Sequence, residues 1–437
     1  MAYIRTSCLP EFSINGVGKS EALRLLALEG AKRRYGNALL DAVVERVEQE
    51  LRVISWYRLE DYFLIWHEII HAAKTELDVL VGPGRGGAAG STVNYCLGIT
   101  DIDPLKYGLL FERFVMCSSA KNRPNLSVAG FDFDVEGRDA IVKWVEQRFA
   151  GNVAHISAYS SDGMIASVHA SGLVLCRKLC LRNLPKHFVR NAQGEEKLCI
   201  ACDGEQVEEQ GLFKLDFLPM EQLSVIKAVL RQCGLRLSDI PLDDARTMQL
   251  FQAGDTGKIF MFDSRRMRKY LRDFHPETLS DLMALNVMHP RRTELVAEMI
   301  ARKENPQLVE YILPCLADTL SETYGMLVYQ EQIMQIAQGI ARFTPAQADD
   351  LLRAIYRDAA GREQRLKALR TKFIKQGAAN GHCRSDLKRL WEWLCEQGLS
   401  AFCKSHITCY THIAYALAYL KVHHSAAFER AYRSCVL

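Results

Sequence analysis

A change of pattern near residue 218 constrains the fold of this 437-residue chain more than any other feature of its sequence. Between residues 132 and 211, short apolar runs and alternating segments predict β-strands. Beyond Pro219, apolar residues recur at helical spacing almost to the end. The sequence therefore predicts an α+β region that begins with three helices within residues 18–77, and then a helical region of about the same size.

Composition is that of an ordinary globular protein. Hydrophobic residues make up 49% of the chain, which is enough for two to four units with sizeable cores. Lys and Arg (55) nearly balance Asp and Glu (52). This balance neither supports nor excludes a nucleic-acid partner, which needs only a local basic groove. No secretory leader is recognisable in residues 1–12 and no apolar run reaches the length of a membrane span, so we expect a cytoplasmic protein with reduced cysteines.

Two carboxylates stand two residues apart in the segment FDFDV. If this segment is a strand, Asp132 and Asp134 point to the same face of a sheet. Like charges this close repel unless a cation lies between them, and paired carboxylate oxygens suit Mg²⁺. The D-x-D pattern alone favours the alternative, a solvent-facing strand with two ordinary surface aspartates.

A third carboxylate, Asp216, lies in another alternating segment, two residues after Lys214. Three clustered carboxylates suit two metal ions, which can stabilise both the attacking and the leaving oxygen of a phosphoryl transfer. Lys214 on the same face would neutralise a phosphate. The alternative is an exposed strand face that carries a lysine and an aspartate.

A glycine-rich loop, VGPGRGGAAGS, occupies residues 81–91. Closely spaced glycines let backbone N–H groups approach a ligand, and such loops bind phosphates where a helix begins. We expect the helix to begin near Ser91 and Arg85 to add a charge-assisted contact. A tight turn without a ligand is the alternative.

Three further groups of residues give weaker signals. Four cysteines could hold a structural zinc ion, but their spacing within strand-like sequence favours thiols packed in a core. They are Cys176, Cys180, Cys199 and Cys202. The polar residues at 329–332 lie on an amphipathic helix and are expected to be solvated. Lys404-Ser405-His406 by itself is more typical of a surface than of a site.

Taken in order, these segments resemble the C-family of bacterial DNA polymerases, the family of the DNA polymerase III alpha subunit. Residues 81–114 are the most specific stretch, and FDFD at 131–134 is similar to the family's paired aspartates. HASGLVL and GLFKLDFL resemble the strands that lead to and carry the third aspartate. FMFDSRRM, TYGMLVYQEQIMQIAQ, ADDLLRAI and AFCKSH are similar to motifs of the fingers domain. The resemblance runs from about residue 20 to residue 430.

The resemblance implies a palm of the nucleotidyltransferase type, related to the polymerase beta palm and built on a mixed sheet. A mostly α-helical fingers domain would follow it, so that the implied fold class is α+β. The expected domains are an N-terminal helical segment at 1–57 that packs on the palm, the palm at 58–218 with a vestigial thumb around 150–170, and the fingers at 219–437.

The resemblance also implies addition of deoxynucleotides to a primer 3′-end, with primer–template DNA and deoxynucleoside triphosphates as partners. Two Mg²⁺ ions, for which Mn²⁺ could substitute, would be bound by Asp132, Asp134 and Asp216. Accessory replication or repair proteins are further candidate partners. Nucleotide contacts are expected from Gly84, Arg85, Gly86, Gly87, Ser91, Lys214, Arg265, Arg353, Lys404 and His406.

The chain departs from the family's pattern in several places. We expect no N-terminal PHP domain, no clamp-binding or OB-fold region and little of the thumb, since only 81 residues separate Asp134 from Asp216. Gly87 stands where the family has a serine, and Leu352-Arg353 replaces a double arginine. These losses predict distributive synthesis, a weak hold on DNA and a raised Michaelis constant for nucleotides, because phosphate contacts are removed.

Three functions therefore stay open. The retained aspartates favour a minimal template-directed DNA polymerase. The eroded loop and the missing thumb are also consistent with a catalytically weak or inactive relic that binds DNA or a partner protein. A palm without a thumb could instead serve an untemplated or primer-making nucleotidyltransferase.

Overall fold

The fold was described from a computed structural model, which covers residues 2–3, 5–10, 17–117, 124–126, 130–159, 165–190, 194–356 and 361–436. The chain divides into two compact units. One comprises Met1–Met116 and Arg123–Lys227, and the other comprises Ala228–Leu437 with the short segment Cys117–Asn122. The first combines helices with a mixed sheet and the second is helical, so the α+β prediction is confirmed.

The first unit holds strands and eight helices within the described residues. The strands are β1 (Ala2–Tyr3), β2 (Val115–Cys117), β3 (Pro124–Leu126), β4 (Gly130–Phe133), β5 (Val153–Tyr159), β6 (Ile165–Leu175), β7 (Lys186–Arg190), β8 (Glu196–Ile200) and β9 (Phe213–Pro219). The helices are α1 (Lys19–Tyr35), α2 (Asp41–Trp56), α3 (Glu60–Thr75), α4 (Thr92–Cys96), α5 (Val135–Arg148), α6 (Lys178–Arg182), α7 (Gly204–Glu209) and α8 (Glu221–Cys233). Helix α8 continues past the division between the units at Lys227.

Strands β4 to β9 form a mixed sheet in the order β4-β9-β6-β5-β8-β7. The pairs β4·β9 and β5·β8 are parallel, whereas β9·β6, β6·β5 and β8·β7 are antiparallel. The stretch 150–170, predicted as a vestigial thumb, contributes β5 and the start of β6 to this sheet, while residues 160–164 of it lie outside the described part of the chain. The domain names and boundaries stay predictions.

Alternation along the central strands separates an apolar face from a charged one. Phe131, Phe133 and Phe217 are fully buried on one face, where Trp66 of α3 meets Phe131 with ring centroids 4.8 Å apart. Buried aromatic pairs of this kind add to the stability that area burial gives. The polar residues between them point to the opposite face, which is where the predicted site lies.

The second unit is built from helices over its described residues. They are α9 (Ala245–Gln252), α10 (Arg265–Phe274), α11 (Leu279–Arg291), α12 (Thr293–Glu304), α13 (Ala317–Leu320), α14 (Gln330–Ala341), α15 (Pro345–Tyr356), α16 (Arg362–Ala379), α17 (Arg384–Gly398), α18 (Lys404–His423) and α19 (Ser425–Cys435). Helix α18 is mostly buried, and Tyr415 at its middle stacks on Phe251. Among the described residues, no helix combines the length and the apolar character that a membrane span requires.

Candidate active site

The parallel pairing of β4 with β9 places two of the predicted aspartates on one face of the sheet. Gly130 lies opposite Asp216, and Asp132 lies opposite Leu218, so Asp132 and Asp216 are one pleat apart on adjacent strands. Gly172 of β6 flanks Asp216 on its other side. A methyl group placed on Gly130 would lie 2.5 Å from Cβ of Asp216, so only a glycine fits there with the backbone in this position.

The two carboxylate oxygens of Asp216 have different environments. Its Oδ2 lies 3.1 Å from Nζ of Lys214, the residue that was predicted to share its face. Its Oδ1 is buried and has no hydrogen-bond partner among the described residues. A buried oxygen without a donor is costly, and a bound cation would remove that cost.

The glycine-rich loop lies directly against Asp132. Val81 forms an isolated bridge with Phe133, and the Gly82 N–H donates to the backbone oxygen of Asp132 at 2.8 Å. Arg85 donates to Oδ1 of Asp132 at 2.9 Å. Within the loop, Gly86 has a φ of 54°, which favours glycine. The structure therefore brings together the loop, its arginine and the first aspartate.

Asp134 has a different environment from the other two aspartates. It lies one residue beyond β4, as the N-cap of α5, and its Oδ1 accepts from the Gly137 N–H at 2.9 Å. Its Oδ2 accepts from the Leu80 N–H at 2.8 Å, and Nζ of Lys227 lies 3.0 Å from both oxygens. The side chain is only 2% exposed. Both oxygens of Asp134 thus already have strong donors.

No cluster of three or more acidic, histidine or cysteine side chains that could hold a metal occurs in the described part of the chain. The carboxylates of Asp132 and Asp216 could still hold one ion, because Mg²⁺ is often bound by one or two carboxylates together with water and phosphate oxygens. A role of Asp134 as a further metal ligand stays a prediction.

Sequence reasoning missed three residues that lie near these carboxylates or anchor the glycine-rich loop. Lys227 and Glu50 gave no motif, because their partners are distant in the sequence. His169 belongs to the HASGLVL segment, and its Nδ1 accepts from the Gly172 N–H at 3.0 Å. Burial lowers the pKa of His169, although the nearby charge of Asp216 opposes this shift.

Comparison with known proteins identifies the family. A model of the bacterial DNA polymerase III alpha NTPase domain matches residues 21–164, and one of the bacterial DNA polymerase III alpha subunit finger domain matches residues 222–381. The DNA polymerase III subunit alpha of Halalkalibacterium halodurans is 32% identical over 504 residues, which cover 98% of this chain and 44% of that protein. That of Staphylococcus aureus strain COL is 31% identical over 462 residues, which cover 89% of this chain and 42% of that protein.

The chain belongs to the bacterial DNA polymerase III alpha family. It spans less than half the length of these relatives. The aligned stretch in the Halalkalibacterium comparison is longer than the 437 residues of this chain, so that relative has internal segments without a counterpart here.

In this family member, Ser91 has a structural environment. The helix start expected near Ser91 is confirmed, since its hydroxyl accepts from the Asn94 N–H as the N-cap of α4. The same hydroxyl donates to Glu50 at 2.8 Å, and Glu50 also accepts from the N–H groups of Thr92 and Val93. Ser91 and Glu50 are fully buried, so the loop ends in a fixed anchor and the predicted nucleotide contact of Ser91 gains no support.

The finger-domain match includes two of the four predicted basic contacts of the second unit. Arg265 is exposed in the first turn of α10, whereas Arg353 is paired with Asp349 at 2.7 Å. Beyond the matched residues, Lys404 is paired with Glu322 at 2.6 Å, and the ring of His406 lies 4.3 Å from that of Tyr410. Arg353 and Lys404 would therefore have to leave an acidic partner to contact a phosphate.

The polar residues at 329–332 are not solvated, so that prediction is wrong. Glu331 and Gln332 are 1% and 2% exposed. Glu331 accepts from the N–H of Lys404 at 2.8 Å and thereby caps α18, while Gln332 accepts from the N–H of Tyr329. Their side chains satisfy backbone groups that the ends of helices and turns leave without partners.

Three of the four cysteines considered for zinc lie in or against the first unit's smaller apolar core. Cys176 and Cys202 belong to a buried cluster with Ile156 and Ile200, and Cys199 is also fully buried. Burial raises the pKa of the Cys176 thiol to about 12, which keeps it protonated at neutral pH. These observations support the interpretation as packed core thiols.

Proposed function

We propose that this chain is a minimal DNA polymerase that adds deoxynucleotides to a primer 3′-end. Family membership supports the reaction class. The observation that carries the proposal is the buried Oδ1 of Asp216, which has no hydrogen-bond partner in the described part of the chain. Asp216 lies beside Lys214 and on the same sheet face as Asp132. This arrangement suits a divalent cation that is shared with a triphosphate.

Asp132 and Asp216 would hold the ion, Mg²⁺ or Mn²⁺. When bound, it would supply charge stabilisation to the phosphoryl group and activate the primer hydroxyl. Lys214 would place a positive charge at the phosphates, since its Nζ is already held on this face by Asp216. Arg85 would leave Asp132 and bind a phosphate oxygen instead. The exchange is feasible because carboxylate and phosphate both offer anionic oxygens to a guanidinium group.

A second ion bound by Asp134 is the less supported part of the proposal. Lys227 would have to leave both oxygens of Asp134 before an ion could take its place. Two backbone N–H groups would continue to hold the same carboxylate. We therefore expect one ion to bind much more tightly than the other.

These commitments of Asp134 favour a second candidate, a relic that binds DNA with little or no turnover. The absence of a three-ligand cluster among the described residues points in the same direction. Primer–template DNA would be the partner in both cases, so DNA binding alone does not separate the two candidates.

Primer extension separates them. Wild type, Asp216→Asn and the control Glu136→Gln would be incubated with each deoxynucleotide, with and without template, in Mg²⁺ or Mn²⁺. Glu136 is exposed on α5 and should be silent. Template-matched incorporation that Asp216→Asn abolishes supports the polymerase. DNA binding without incorporation in either metal selects the relic, and incorporation that ignores the template selects an untemplated transferase.

A further inference from the structure

Helix α10 of the second unit concentrates positive charge on one face. Its ten residues, RRMRKYLRDF, contain five basic side chains and one acidic side chain. Met267, Leu271 and Phe274 are buried and hold the helix against the unit. The spacing of these anchors leaves the opposite face to the basic residues. Those that are exposed are Arg265, Arg266, Lys269 and Arg272.

The exposed basic residues line a shallow cleft of about 710 Å³, together with Asp273. From Arg265 to Arg272 the helix rises by roughly 10 Å, at about 1.5 Å per residue. That span corresponds to about three nucleotides of one strand at about 3.4 Å each. The size and charge of the cleft therefore suit a short run of backbone phosphates.

Most of this charge is not neutralised by residues that the structure describes. Of the four exposed basic residues, Lys269 is the one with an acidic partner in that part of the chain, Asp273 at 2.6 Å. Among the described residues, Arg265, Arg266 and Arg272 form no ion pair. Clustered like charges repel one another, so this face is less stable alone than with an anion bound.

The same unit shows how basic side chains are neutralised where no ligand is expected. Lys303 lies 3.0 Å from Asp281, and Lys421 lies 3.3 Å from Asp255. Arg302 pairs with Glu298 at 2.5 Å. Helix α16 is also rich in basic residues and has one acidic residue, but its Arg365 and Arg370 pair with Asp350 and Glu392. The exposed arginines of α10 differ in having no such pair within the described residues.

The helix is held firmly enough to present a fixed array. Ser264 caps its first turn by accepting from the Met267 N–H. On its inner side, Arg268 packs so closely on the turn at Gly257 that a methyl group there would lie 2.5 Å from the guanidinium. Tyr270 contacts the ring of His289 edge-on, and Nε2 of His289 has no hydrogen-bond partner among the described residues. His289 is thus an additional polar group beside the basic face.

We propose that the exposed basic face of α10 binds the phosphate backbone of a nucleic-acid strand without reading its sequence. Arginine suits this task because its planar group can donate two hydrogen bonds to one phosphate. The inference rests on the proposed function only in taking DNA as the strand, and it assigns that strand a place on the protein. Binding to this face requires neither a metal ion nor turnover.

Fluorescence anisotropy with a labelled 16-nucleotide single strand, measured without divalent metal between 50 and 200 mM salt, tests the proposal. Wild type is compared with Arg265→Ala/Arg266→Ala and with a matched control, Lys388→Ala/Arg389→Ala, which removes two exposed charges from α17. Each lost phosphate contact should lower the slope of log affinity against log salt by about 0.7. We therefore expect a slope smaller by about 1.4 in the α10 variant and no change in the control.

The outcome can overturn the proposal in three ways. Equal affinity and slope for wild type and the α10 variant would remove it, as would equal losses in the α10 variant and the control. A variant that loses affinity for a deoxynucleoside triphosphate but keeps its affinity for the strand would assign the face to the nucleotide instead. Thermal unfolding of each variant shows whether the second unit stays folded. Since no incorporation is measured, the result stands apart from the test of catalysis.

Discussion

The carboxylate face of the first unit and the basic face of α10 differ in whether their charges are paired within the protein. Each of the three predicted metal-binding aspartates has a basic neighbour within 3.1 Å; the pairs are Asp132–Arg85, Asp134–Lys227 and Asp216–Lys214. On α10, three arginines have no acidic partner among the described residues. An internally paired site can fold without its ligand, and a cation must then compete with protein groups. An unpaired basic face leaves its charge for an anion that comes from outside.

Within the first unit, the three aspartates are also unequal. Asp134 is held by two backbone N–H groups and a lysine, whereas one oxygen of Asp216 has no donor among the described residues. This difference shows that the position of a carboxylate in a sequence motif does not reveal whether its oxygens already accept hydrogen bonds.

The largest effect is expected on stability, from Asp134→Ala. The substitution removes the cap of α5 and leaves the half-buried Lys227 without its counter-ion, and breaking a largely buried pair in this way costs about 3–5 kcal/mol. Urea unfolding measures the loss. Asp139→Ala is the control, because Asp139 lies on the same helix in an exposed pair with Arg138 and should change stability by about 0.5 kcal/mol or less.

Asp134→Asn should be milder than Asp134→Ala, since asparagine is also a favourable N-cap. A stable Asp134→Ala protein that has lost metal binding would contradict the structural role, and would make Asp134 a ligand like the other two aspartates.

The sequence predicted the faces of the strands well and the end of β4 poorly. Asp216 and Lys214 share a face because both lie inside β9, where side chains alternate strictly. Asp134 follows the same D-x-D spacing, but the chain turns into α5 directly after it. A period-two pattern does not show where a strand ends, so the capping role of Asp134 could not be read from it.

Long-range partners were equally invisible in the sequence. Glu50 receives three hydrogen bonds from residues 91–93, which lie more than 40 positions away. Conversely, the change from strand to helix near residue 218 needed only local periodicity, because β9 ends at Pro219 and α8 begins at Glu221. Local sequence patterns thus predicted the helices and strands. The partners of their polar side chains depend on tertiary contacts, which local patterns do not show.

The next effect concerns catalysis. Lys214→Met should lower kcat/KM for nucleotide incorporation by about 100-fold, the loss expected when one preorganised charge on a reacting group is removed. Single-turnover incorporation with a labelled primer measures it, and Lys388→Met serves as the control. A Lys214→Met enzyme that incorporates as fast as wild type would place the phosphates away from this face.

A smaller effect is expected where the glycine-rich loop is anchored. Glu50→Gln would turn an amide NH₂ towards backbone donors that now meet a carboxylate, at a cost of about 2 kcal/mol. The free energy of unfolding in urea should fall and the Michaelis constant for nucleotides should rise, because the loop that lies against Asp132 ends at this anchor. An unchanged Michaelis constant in the destabilised variant would separate the anchor from nucleotide binding.

The smallest effect is expected at Glu146, in the last turn of α5. Hydrogen bonds from His155 and Lys197 lower the pKa of Glu146 below its ordinary value of 4.5, although partial burial opposes this. A carboxyl whose pKa is lower in the folded than in the unfolded state adds stability above the unfolded pKa, and loses it as the pH falls through the folded pKa. The melting temperature of the wild type should therefore fall more between pH 6 and acidic pH than that of Glu146→Gln. The difference should correspond to about 0.5 kcal/mol. An equal drop in both proteins would show that this partly exposed pair contributes nothing, and that paired charge in the first unit matters only where, as at Asp134, it is buried.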